Sequence, residues 1–169
     1  TQTIPTVFGA KYNLDQIIDD ITVDIDVKSG SSLVNYDRSS QVKGSPSTEG
    51  IDLDESFSFE INDYGLDHQG GAIADILVDM KFKDGIGSDN PFEYPEFVSI
   101  VDFIKDYLAR YPNETDFWEI LNKNLASTLL SDAIPTPFGF SYYLSEVVDT
   151  LDVEIKVNPG SSLVDFPRT

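Results

Sequence analysis

One histidine, no cysteine and 30 carboxylates frame the chemistry open to this chain. His68 lies in Gly65-Leu66-Asp67-His68-Gln69-Gly70-Gly71, a polar loop between two strand-like stretches. As a general base it would be oriented by Asp67; the plainer expectation is an exposed loop histidine. Without cysteine there is no thiol nucleophile, disulfide or thiolate metal site. A serine nucleophile needs a base, and no Gly-x-Ser-x-Gly elbow is present. Walker-type and Gly-x-Gly-x-x-Gly phosphate loops are also absent. Gly-Ser-Ser occurs twice, at Gly30–Ser32 and Gly160–Ser162, and a turn between strands accounts for both. Glycosidase chemistry needs two carboxylates at a set separation, and 30 acids supply pairs by chance alone. The sequence names no catalytic residue and weighs against an enzyme.

Calcium is the cofactor such a surface could take, because it gathers six to eight oxygen ligands from loop carboxylates. Asp84 and Asp89, flanking Gly85 and Gly87, are the first candidate ligands; Asp52 and Asp54, with Glu55 beside them, are the second. Asp24 and Asp26 share one face of a strand. No EF-hand spacing and no Gly-Gly-x-Gly-x-Asp repeat occurs, so the simpler expectation is a solvated acidic surface with no cofactor. The aromatic stretches Phe92–Tyr94 and Phe138–Tyr143 could line a carbohydrate or peptide groove, although core packing is the expected role. Asn113-Glu114-Thr115 fits a glycosylation sequon and reads better as a helix cap.

The elements that would hold these residues follow from hydrophobic spacing. Ile21, Val23, Ile25 and Val27 alternate with polar residues, the mark of a half-buried strand. A short strand through Leu33, Val34 and Tyr36 should follow the Gly30 turn. Residues 39–50 are rich in Ser, Gly and Pro and read as a linker or long loop. Residues 55–63 and 72–83 alternate again and should pair as a hairpin, with Ala74, Ile76, Val78, Met80 and Phe82 facing the core. Asn90-Pro91-Phe92-Glu93 resembles a capping box ahead of a helix carrying Phe97, Ile100, Val101, Ile104, Tyr107, Leu108 and Tyr111. Residues Asn113–Asp116 should cap a second helix burying Phe117, Ile120, Leu121, Leu125 and Leu129. The expected fold is α+β: an antiparallel sheet with two helices on one face, in ββααββ order, plus an N-terminal strand pair.

That strand pair is a duplicate. Residues 4–39 and 134–169 align without a gap at an offset of 130, and 17 of the 36 positions are identical. The expectation is a tandem-repeat protein: residues 1–39 the tail of a preceding repeat, 40–50 a linker, and 51–169 one full repeat packed with 1–39 as one globular unit. A net charge of −19 disfavours nucleic acid and anionic membranes. No apolar run approaches the ~18 residues of a membrane span.

The element order over residues 55–169 resembles the tunnelling fold of pterin- and purine-handling enzymes, which would imply a heterocycle binder. The synthase of that group binds zinc through three histidines, and this chain has one. The stretch YPEFVSIVDFIKDYLARYPNETDFWEILNKNL looks like repeats of very large secreted cyanobacterial proteins, some carrying esterase- or phytase-type modules. Three functions follow as expectations: a non-enzymatic structural or adhesion module of a secreted or cell-surface protein, an accessory domain of a secreted hydrolase, or a purine- or pterin-binding unit. The expected partners are neighbouring repeats of the same chain or further copies of it.

Overall fold

The computed structural model describes residues 3–160, apart from 6, 32, 48–49, 87–93 and 113–114. In chain order the elements are β1 (Ile4–Pro5), β2 (Lys11–Tyr12), a 3₁₀ turn (Leu14–Gln16), β3 (Ile21–Val27), β4 (Asp37–Ser47), β5 (Gly50–Leu66) and β6 (Ala72–Phe82). There follow α1 (Phe97–Ala109), α2 (Trp118–Ser131), β7 (Ile134–Pro135), β8 (Ser141–Tyr142), α3 (Leu144–Val147) and β9 (Val148–Val157). The architecture is α+β. Five antiparallel strands run in the order β3-β4-β5-β6-β9, helices pack against the sheet, and β1-β2 and β7-β8 are separate two-residue ladders.

Alternation decides which face of the sheet meets the helices. Phe59 and Ile61 of β5, Ala74, Ile76, Val78, Met80 and Phe82 of β6, and Ile155 and Val157 of β9 are all buried. They share one core with Ile100, Val101, Ile104 and Leu108 of α1 and with Trp118, Leu121, Leu125 and Leu129 of α2. The β5–β6 hairpin and the apolar face of β6 are as the spacing predicts. Helix α1 is capped by the Glu96 carboxylate, which accepts from the Val98 and Ser99 amides; the expected capping box at residues 90–93 lies outside the described residues. Helix α2 begins at Trp118 with Phe117 at its cap position and no side-chain cap bond. Its buried face therefore runs through Trp118, and Phe117 and Ile120, expected in the core, are exposed.

Two expectations about the first copy need correction. Residues 39–47, whose composition predicts a linker, belong to β4, which pairs with β3 on one side and β5 on the other. Pro46 is tolerated because it lies beyond the β3 ladder, which ends at Gly44. No strand runs through Leu33, Val34 and Tyr36; β4 starts at Asp37, and Leu33 is fully exposed.

Directly paired residues share a face of a sheet. Ile25, Ser40, Phe57, Met80 and Leu151 form one row across all five strands, and Val27, Arg38, Phe59, Val78 and Val153 form another. The apolar side of β3 therefore points to the same face as the core residues of β9. Four antiparallel steps also give β9 the direction of β3. Ile25 shares its row with Leu151, whereas its sequence counterpart is Ile155, so the second copy is slipped by four residues along the strands.

Candidate functional site

The structure gathers few of the acidic candidates. Asp52, Glu55 and Asp84 border a shallow pocket of about 180 Å³ shared with Lys83. Tyr94 donates its hydroxyl to Glu55, and Lys83 donates to the Ser145 carbonyl at 2.7 Å. Asp54 lies 3.2 Å from Lys81, and that contact raises the pKa of the lysine. Asp89 is outside the described residues. Among the described residues, no group of three or more His, Asp or Glu is placed to hold a metal ion.

Asp24 and Asp26 lie on the helix-free face of the sheet, along an open groove of about 400 Å³ with Ser39, Gln41, Ser58 and Asp79. Gln41 donates to Asp24 at 2.6 Å and the Ser39 and Ser58 hydroxyls meet at 2.6 Å. Burial, and then the facing Asp152 carboxylate, raise the pKa of Asp79, partly offset by a hydrogen bond from Ser58.

His68 is not an exposed loop residue. It is 2% exposed, edge-on to the Trp118 ring at 4.5 Å and to Tyr111 at 6.0 Å. Its neighbour Gln69 donates to the Asp116 carbonyl at 2.8 Å, and Asp116 accepts from Tyr111 at 2.9 Å. These contacts tie the β5–β6 turn to the α1–α2 junction, which is a packing role.

The aromatic segment near Phe138 is also placed differently from expectation. Phe138 and Phe140 stack at 6.3 Å on the tip of the β7–β8 hairpin and are exposed, not in the core. In the other stretch, Tyr94 packs edge-on against Phe82 at 5.2 Å, and residues 92–93 are outside the described set.

One further feature, a surface, leaves no motif in the sequence. The two copies fold alike: Ile4 pairs with Tyr12 and Pro5 with Lys11, as Ile134 pairs with Tyr142 and Pro135 with Ser141. Gly9 and Gly139 both take the left-handed conformation, at φ 79° and 85°, which favours glycine. Their surroundings differ. Ile134, Leu144, Val148, Ile155 and Val157 are buried under the helices, and Asn122 of α2 donates to the Val153 carbonyl at 2.8 Å. In β3, Ile25, the counterpart of buried Ile155, is 58% exposed, and Ile21 and Val23, the counterparts of the half-buried Leu151 and Val153, are 42% and 48% exposed. A strand with a sequence built for burial thus lies bare at one edge of the sheet, while its copy is covered at the other.

β4 is fixed to the body of the fold just beyond that edge. Phe97 of α1 packs against Phe57 and Phe59 at 5.4 and 5.9 Å and meets Tyr36 edge-on at 6.5 Å. The Arg38 guanidinium stands 5.3 Å above the Phe97 ring. Lys105 donates to the Tyr36 hydroxyl at 2.7 Å. Tyr36 and Arg38 thus pack on α1.

Comparison with protein-family models, with curated proteins and with solved structures finds no match.

Proposed function

We propose that this chain is a non-enzymatic module of a tandem-repeat protein, a spacer, scaffold or adhesion unit whose partners are neighbouring units. The observation that carries this reading is the contrast between Ile25 and Ile155. They occupy the same place in a duplicated strand and face the same side of one sheet, yet only the second lies under helices. Burying a side chain of this kind is worth about 1.5–3 kcal/mol, so β3 forgoes a gain that the helix pair of an adjoining unit would supply. The net charge of −19 and the lack of cysteine suit an extracellular or cell-surface setting rich in cations.

The reading is tested by lengthening the chain by one period, with residues 40–169 repeated after Thr169. Units of a repeat array stabilise one another through their interfaces. The longer chain should unfold in one coupled transition at a higher denaturant midpoint than the 169-residue chain. An unchanged midpoint, or two independent transitions, would overturn the reading.

A further inference from the structure

Building on that reading, we infer that neighbouring units share the duplicated strand: β9 of one unit also fills the β3 position of the next, and its outer edge takes up the next unit's β4. The partner is a second copy of residues 40–47 of β4, in the register that β4 holds against β3. Failure of the tandem-unit reading would remove this inference as well, but the inference can fail alone.

The geometry of one chain contains both halves of the junction. β3 and β9 run in the same direction with their apolar sides on the same face, and they sit at opposite ends of the sheet. β3 is therefore paired along one edge, by β4, and β9 along the other, by β6. Superposed, the two copies make a single strand with both edges occupied and no conflict of face or direction. Among the described residues no strand lies along the outer edge of β9, where the Asn122 amide holds the outward Val153 carbonyl at 2.8 Å; an incoming strand would share or displace that one bond, and such an edge is a template for strand addition.

The side chains agree with the register. Ile21 faces Gly44, Val23 faces Val42, Thr22 faces Lys43 and Asp24 faces Gln41 in the β3–β4 ladder. Transferred to β9, Leu151 falls opposite Gly44 of the incoming strand. At that position a Cβ would meet Leu53 at 2.8 Å, and Ile21 already lies 3.7 Å away; Leu151 would take the place of Ile21. Glu154 falls opposite Gln41, as Asp24 does when it accepts the Gln41 amide. Asp152 falls opposite Lys43. Within its own unit Asp152 faces Asp79, a like-charge pair across β6 and β9, and the incoming lysine gives that pair a cation. Opposite charges in direct cross-strand positions are favourable and like charges are not.

The experiment is carried out on the full chain extended after Thr169 by the eight residues of 40–47, which completes one added β4. Amide hydrogen exchange and cross-strand nuclear Overhauser effects are read on β9. Exchange should slow about tenfold or more at the β9 amides that do not bond to β6. Contacts should link Leu151 to the added copy of Gly44 and Val153 to the added copy of Val42. A proline in place of that added Val42 should abolish the protection and leave the rest of the fold unchanged. Unchanged exchange along β9, or pairing in another register, would overturn the inference. If the two-period chain gained stability while β9 stayed unprotected, units would couple without sharing a strand, and only this inference would fall.

Discussion

Ile25 and Ile155 are the same residue of one repeated strand, 130 positions apart, and they are 58% and 4% exposed. The apolar alternation around them is the same, through Ile21, Val23, Ile25 and Val27 and through Leu151, Val153, Ile155 and Val157, so the difference is tertiary: α2 and α3 lie against β9, and Ile21, Val23 and Ile25 of β3 stand open to solvent.

Truncating the two residues should separate their contributions. Ile155→Ala should cost about 3 kcal/mol, the usual range for a buried aliphatic side chain cut to alanine. Ile25→Ala should cost less than about 1 kcal/mol, set by strand preference and partial exposure. Urea midpoints on the 169-residue chain give both values. Equal losses would mean that β3 is covered in solution.

Asp79 should make stability depend on acidity. Burial and the facing Asp152 raise its pKa above 3.8 in the folded chain. A raised carboxylate pKa means that the folded state holds the proton more tightly. Its contribution is complete below pH 3.8 and is lost as pH rises through the folded pKa. At neutral pH the charged form is therefore a cost. Asp79→Asn should raise the midpoint at pH 7 and give no gain at pH 3, as thermal melts at the two values would register.

His68 should behave as a core residue. His68→Ala removes the ring from Trp118 and Tyr111 and should cost about 2 kcal/mol. Trp118 is the only tryptophan, so its emission should move to longer wavelength in the variant. A surface loop histidine would change stability by less than about 0.5 kcal/mol.

The Arg38–Phe97 contact should couple β4 to α1. Phe97→Ala should cost about 3 kcal/mol and Arg38→Ala about 1 kcal/mol. The double variant should lose less than the sum by about 0.5–1 kcal/mol, measured as a double-mutant cycle in urea. Strict additivity would show the guanidinium and the ring to be independent.

Strands β3, β5, β6 and β9 were legible because apolar and polar residues alternate through Val23, Phe59, Val78 and Val153. Helix α1 was legible through Ile100, Val101, Ile104 and Leu108. β4 was not, since Ser39, Ser40, Gln41, Gly44 and Pro46 carry no apolar period. That strand is held by backbone ladders on both sides, which leave no mark in side-chain pattern. His68 departs from expectation for a related reason: a polar, glycine-rich turn predicts exposure, whereas the distant Trp118 and Tyr111 close over this one. The bare surface of β3 could be seen only when the duplicate was found under helices.

The four-residue slip between β3 and β9 has a mechanical consequence in an array with shared strands. Each unit would advance ~19 Å across four strand spacings and ~13 Å along the strands, so the long axis would run roughly 35° off the hydrogen-bond direction. Tension on such a filament would not simply peel strands apart one bond at a time. Part of the load would fall along the strands, in shear, where the bonds of a whole ladder must yield together.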